Sequence, residues 1–214
     1  MAKLKQGILG PISGKIGPVV GGVWKGIPYI RRTPKKKKKK APRTPGRVAN
    51  EKKFKFGNDW LIPFHPYMTI GFQNEAVQRT ALSAAFSANY KHVFKGKYPD
   101  LQIDYSAVKI SVGTLPGLTD PQLALTAPDT LLLTWKASSS AKAIFNDQIM
   151  LVVYSPALAK TDGFIGSTLR RDLQYAFKFN PELIGTDLEV YLSVTSLDRK
   201  KIAESKYMGR ILPL

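Results

Sequence analysis

From residue 101 onward, apolar side chains recur at every second position. Leu101, Ile103 and Tyr105 alternate with polar residues, and Val108, Ile110 and Val112 resume the pattern after an expected bulge. Leu131, Leu133 and Trp135 follow, then a continuous apolar run from Ile149 to Tyr154. Leu173, Tyr175, Phe177 and Phe179 alternate, as do Leu188, Val190, Leu192 and Val194. Turn-forming clusters separate these runs: Leu115-Pro116-Gly117, Ser138 to Ser140, Asn180-Pro181 and Asp198-Arg199. About seven short strands at this spacing predict an antiparallel, immunoglobulin-like β-sandwich over residues 100–214. Trp135, Tyr175, Phe177, Val190 and Leu192 are expected in its core, and the unit is expected to fold alone.

Residues 44–99 change to a period of three to four. Thr44 followed by Pro45 is an N-cap with proline at the first helical position, and predicts a helix to about Leu61 with Val48, Phe56 and Trp60 on one side. Pro63 and Pro66 are expected to end it. Asn74 is placed as the cap of a second helix, Glu75 to Lys95, whose stripe is Leu82, Phe86, Tyr90 and Val93. Gly96 and Pro99 close it.

Residues 7–27 hold a short repeat, GILGPIS, GKIGPVV, GGVWKGI. Its glycines have helical spacing, but Pro11 and Pro18 would each remove an interior N–H and clash with the preceding turn. Short β segments joined by glycine turns fit better, with Gly21-Gly22 expected as a two-residue hairpin turn between Val19-Val20 and Val23-Trp24. The fold expected is therefore mainly β with a helical middle: a Gly-rich and Lys-rich basic arm (1–43), a two-helix segment (44–99) and the sandwich (100–214).

Charge divides the chain differently. Residues 1–56 hold 17 of the 33 Lys and Arg and one of the 15 acids, which is +16 of the formal +18. The densest stretch is Arg31 to Arg47, with ten basic residues and no acid: Arg31, Arg32, Lys35, Lys36, Lys37, Lys38, Lys39, Lys40, Arg43 and Arg47. Six adjacent ammonium groups cannot enter a core, because burial costs several kcal/mol for each unpaired ion. The arm must lie against something anionic or in water. Trp24 and Tyr29 stand just before the run, where they are expected to stack on bases while the basic residues neutralise phosphates.

Little else points to chemistry. The chain has no cysteine, which excludes disulfides and thiolate metal sites. His65 and His92 have no acid or nucleophile near them in sequence. Ser139 and Lys142 match an S-x-x-K spacing without its companion motifs. No phosphate loop and no metal-ligand spacing is present. No catalytic residue, cofactor or metal is therefore expected. The uncharged N-terminal segments, such as Ile16 to Trp24, fall far below the ~20 residues of a membrane helix. Lys15 and Lys25 interrupt any signal-peptide core. The expectation is a chain without a classical signal peptide or integral membrane insertion, cytoplasmic or particle-associated.

Two resemblances add to this. Thr130-Leu-Leu-Leu-Thr-Trp135, Leu188 to Ser196 and Ala203 to Tyr207 resemble the Trp-bearing strand and the last two strands of fibronectin type III domains. Gln6 to Gly10, Ser13 to Gly17, Val20, Trp24 to Ile27, Arg31, Thr44-Pro45, Ile70 to Phe72, Tyr98-Pro99, Ile103 to Ser106 and Leu115 to Gly117 resemble an uncharacterised family from Bacteroidota, a domain of unknown function. That resemblance implies a Gly-rich N-terminal hairpin, a helical middle and a sandwich, and no activity. It also disfavours reading Pro34 to Lys40 as a nuclear import signal.

Two functional readings remain. One is a non-enzymatic structural or assembly protein, a virion, filament or particle subunit, that associates with itself or another subunit and contacts nucleic acid or another polyanion through its basic arm. The other is a stand-alone, sequence-nonspecific nucleic-acid-binding protein.

Overall fold

The computed structural model describes residues 2–4, 7, 10–35, 42–96 and 98–213. Lys36 to Lys40 lie outside the described residues.

The chain opens with four antiparallel strands in sequential order: β1 (Lys3–Leu4), β2 (Ile12–Ile16), β3 (Val19–Trp24) and β4 (Ile27–Arg32). The β reading of this repeat holds, but the expected turn does not. β3 runs unbroken through Gly21-Gly22. The chain reverses instead at Gly17-Pro18 and at Lys25-Gly26, where Lys25 (φ 46) and Gly26 (φ 82) both adopt the left-handed conformation of a tight hairpin turn. Gly21 serves a close approach: a Cβ there would stand 2.2 Å from the carbonyl oxygen of Ile12.

Helix α1 (Pro45–Leu61) begins as the sequence predicts, with Thr44 Oγ1 accepting from the N–H of Arg47 at 3.4 Å. It does not lead into a loop. A 3₁₀ turn (Ile62–Phe64) continues into α2 (His65–Gly71), and Pro63 and Pro66 each fall at the start of a helical segment. There the missing N–H has no intrahelical partner to lose. Helix α3 (Ala81–Val93) is shorter than expected and is capped by Thr80, whose Oγ1 accepts from Ser83 N–H at 3.0 Å. Asn74 sits in a separate 3₁₀ turn, and Gln78 (φ 56) breaks the path to α3. A small hairpin follows, β5 (Phe94–Lys95) with β6 (Gln102–Ile103). The alternation from Leu101 to Val112 reflects burial of Val108 and Ile110, but only β6 is strand there. The segment around Lys109 is held instead by the buried Asn89 of α3. The Asn89 amide accepts from Lys109 N–H at 2.8 Å and donates to Lys109 O at 2.9 Å.

Seven strands complete the fold: β7 (Thr119–Ala127), β8 (Thr130–Lys136), β9 (Gln148–Ser155), β10 (Lys160–Leu169), β11 (Gln174–Lys178), β12 (Leu188–Thr195) and β13 (Lys206–Ile211). They form a three-stranded sheet, β11-β8-β7, and a four-stranded sheet, β10-β9-β12-β13, all antiparallel. Leu131, Leu133 and Trp135 meet Leu151, Val190 and Leu192 between the two sheets. Tyr175 is only partly buried there, while Phe177 is buried.

The four-stranded sheet is covered on its other face as well. Met150, Val152, Tyr154 and Tyr191 pack against Trp60, Phe64, Met68, Phe94 and Ile110. This explains why every residue of β12 is buried. Residues on either side of position 100 contribute to this one cluster.

Candidate nucleic-acid interface

Strand pairing decides which side chains of the N-terminal sheet share a surface, because directly opposed residues point to the same face and successive residues to opposite faces. β3 and β4 pair Val20 with Arg31, Gly22 with Tyr29 and Trp24 with Ile27. β2 pairs Lys15 with Val20, and β1 pairs Lys3 with Ser13. One face therefore carries Lys3, Lys15 and Arg31 together with Trp24, Ile27 and Tyr29. Trp24 is 52% exposed and Tyr29 43%. The alternate positions make the other face, with Leu4, Ile12, Ile16, Val19, Val23, Pro28, Ile30 and Arg32.

Each face has a glycine where a neighbour approaches closely, Gly21 on one and Gly22 on the other. Gly22 leaves room for the Tyr29 ring, whose phenol oxygen would lie 3.0 Å from a Cβ at that position. The tip of the β3–β4 hairpin is tied to the helical region by Lys25 Nζ, which donates to the carbonyl of Arg79 at 2.6 Å.

Of the residues expected to bind a polyanion, the structure brings Trp24, Tyr29 and Arg31 onto one surface. Arg32 is turned to the opposite face. Lys35 is exposed beyond the end of β4. Arg43 and Arg47 are drawn aside, since Nη1 of Arg43 and Nε of Arg47 both donate to the carboxylate of Glu51, each at 2.9 Å. Such exposed pairs contribute little to stability, but they halve the free charge at the start of α1. Lys36, Lys37, Lys38, Lys39 and Lys40 lie outside the described residues. Lys3 and Lys15 are the members that sequence reasoning missed. The signal was strand parity, legible only once the turns at Gly17 and Gly26 are placed.

Two other features of the surface bear on the chemistry weighed from the sequence. A groove of about 430 Å³ between the helices is lined by Phe54, Asn58, Leu61, His65, Met68 and Phe86 among others, with no carboxylate. Asn58 is occupied with the carbonyl of Phe54. The Ser138 to Lys142 segment is an exposed turn in which Ser138 Oγ accepts from Ser140 N–H and Ser140 Oγ from Lys142 N–H. Among the described residues no group of three or more His, Cys, Asp or Glu is placed to hold a metal ion. No helix of the described residues is long and apolar enough to cross a membrane.

Residues 11–209 match a family of unknown function (DUF6266), and the chain belongs to that family. No curated protein matches the sequence. Among solved structures, the chain is similar to the fn3 domain of human collagen alpha-1(XX) chain, with 16% sequence identity and a TM-score of 0.32 over 48% of this chain and 90% of that one. The fibronectin type III-like reading of the sandwich rests on its own strand order, three strands β11-β8-β7 against four strands β10-β9-β12-β13.

Proposed function

We propose that this chain is a non-enzymatic assembly protein that binds single-stranded nucleic acid on the Trp24–Tyr29 face of its N-terminal sheet. The observation that carries the reading is the grouping of two exposed aromatic rings with Lys15, Arg31 and Lys3 on one surface. Bases stack on aromatic faces at about 1–3 kcal/mol each, while ammonium and guanidinium groups track the backbone. Lys35 to Lys40, which follow the sheet in sequence, supply further phosphate neutralisation. Lysine is a point charge without a bidentate base-reading geometry, so recognition is of strand type and charge, not of sequence.

The test is a salt titration with single strand, duplex and heparin in parallel. If six to ten phosphates are engaged, affinity falls by roughly 10³–10⁵ between 50 and 200 mM salt. Trp24→Ala weakens the single strand selectively, and Gln at Lys35 to Lys40 weakens all three and flattens the slope. Equal binding to all three polyanions, unchanged by Trp24→Ala, overturns the base-stacking reading and leaves a generic polycation.

A further inference from the structure

The face of the N-terminal sheet opposite Trp24 and Tyr29 is aliphatic and open. Ile30 is 64% exposed, Val23 54%, Ile16 51% and Leu4 46%. Ile12, Val19 and Pro28 lie among them, and Arg32 at the end of β4 is the one charged residue of the paired positions on this face. None of these side chains belongs to a buried cluster of the helical region or the sandwich. A small sheet wet on both sides is marginally stable, and an apolar sheet face requires a second layer.

We infer that the second layer is the same face of a second copy of this chain, related by a twofold axis. Charge selects this arrangement. Two copies meeting through the Trp24 face would bring Lys3, Lys15 and Arg31 against their own equivalents. Two copies meeting through the Val23–Ile30 face oppose only aliphatic side chains, with Arg32 at the rim. The apolar area is also sufficient. These exposures amount to on the order of 500 Å² per copy, or about 1,000 Å² in a pair, which is the lower bound of a specific interface. The dimer is accordingly a reversible, concentration-dependent one. The edge of β4 is a poorer route to association, because Pro28 cannot donate to a neighbouring strand.

This pairing points both basic, aromatic faces outward. Resting on the reading above, it makes the dimer bivalent, able to link two strands or two segments of one.

The test is sedimentation equilibrium of the full chain, free of nucleic acid, across concentration and salt. A monomer–dimer equilibrium is expected that tightens as salt screens the two arms from each other, opposite in sign to nucleic-acid binding. Val23→Asp with Ile30→Asp weakens it by at least tenfold, whereas Trp24→Ala leaves it unchanged. The milder pair Val23→Thr with Ile30→Thr keeps the sheet folded and weakens it less. The chain has no cysteine, so Ile30→Cys offers a single thiol. A short bismaleimide should join it to a second copy, while Tyr29→Cys should not cross-link. A monomer at all concentrations and salts overturns the inference, as does a dimer insensitive to the Asp substitutions. A full chain that stays monomeric yet binds single-stranded nucleic acid in a Trp24-dependent way separates this failure from failure of the function proposed above.

Discussion

The ring of Tyr29 lies across Gly22, its directly opposed partner on β3. An exposed aromatic side chain is thereby laid along the sheet and supported from beneath, a cross-strand arrangement that compensates for a glycine in a strand. The neighbouring Gly21 serves a different purpose, because backbone and not a side chain occupies the space beside it. The two glycines are adjacent, and their substitutions should separate cleanly. Gly21→Ala forces its Cβ onto the Ile12 carbonyl and should abolish the sheet, with loss of both dimer and nucleic-acid binding. Gly22→Ala displaces only the flexible Tyr29 ring. It should leave the sheet and the dimer intact while weakening single-strand binding several-fold. Circular dichroism and the salt titration, run on both variants, distinguish these outcomes.

A second expectation concerns the helical middle. Phe64 is fully buried against Trp60, Tyr154 and Tyr191. Phe64→Ala should cost about 3–5 kcal/mol, read as a lowered urea midpoint at constant slope. For the same reason a fragment of residues 100–214 strips the cover from Met150, Val152, Tyr154 and Tyr191. It should bind a hydrophobic dye and aggregate, and adding residues 44–99 back to the chain should cure both.

Within the sandwich, Arg170 acts as a buried clamp. Its Nε donates to Asp147 at 3.1 Å, Nη1 to the carbonyl of Gly117 at 2.8 Å and Nη2 to that of Pro116 at 2.6 Å. Its own carbonyl accepts from the indole N–H of Trp135 at 2.7 Å. Arg170→Met leaves Asp147 buried without its cation and should cost about 3–5 kcal/mol. Arg170→Lys should recover little, since an ammonium cannot reach three acceptors in a plane. Adding Asp147→Leu to Arg170→Met should restore part of the loss, and denaturant unfolding of the three variants measures it.

How much of this was legible in the sequence depended on whether the signal was local. Thr44-Pro45 fixed the start of α1 because a cap is a matter of adjacent residues. The N-cap of α3 is not fixed locally, because Asn74 and Thr80 are both good caps and only the backbone at Gln78 chooses between them. β7 and β10 have no clear local signal: threonines, alanines and two glycines blur their alternation, and their pairing with β8 and β9 supplies the order. The double burial of β12 was hidden too, since Glu189, Tyr191, Ser193 and Thr195 look like a wet face. Glu189 is tolerated there because it accepts from Tyr207 and Arg210. At the interface, the residue types of Trp24, Tyr29 and Arg31 were informative at once. Their separation from Arg32, and their union with Lys15, required the register of four strands.

The last expectation follows from the tyrosines of the shared core. Burial is the main cause that pushes the Tyr67 and Tyr154 hydroxyls up to about 12, with the charge of Asp162 adding at Tyr67 and Tyr105 adding at Tyr154. Burial raises Tyr191 further, reinforced by Glu189. In the unfolded chain all three ionise near 10. Their folded values lie above their unfolded values, so the contribution they make is fully present below pH 10. Above pH 10 the unfolded chain binds fewer protons than the folded one, and stability falls as pH rises toward 12 and beyond. Alkaline unfolding should therefore release several phenolates together. Tyrosinate absorbance and the far-ultraviolet dichroism should change in one step on raising the pH. Tyr154→Phe should move that step to higher pH, because it removes a group that must ionise without removing the ring that packs on Phe64. Gradual, non-cooperative ionisation of these tyrosines with the dichroism unchanged would show that the helical middle does not seal the sheet.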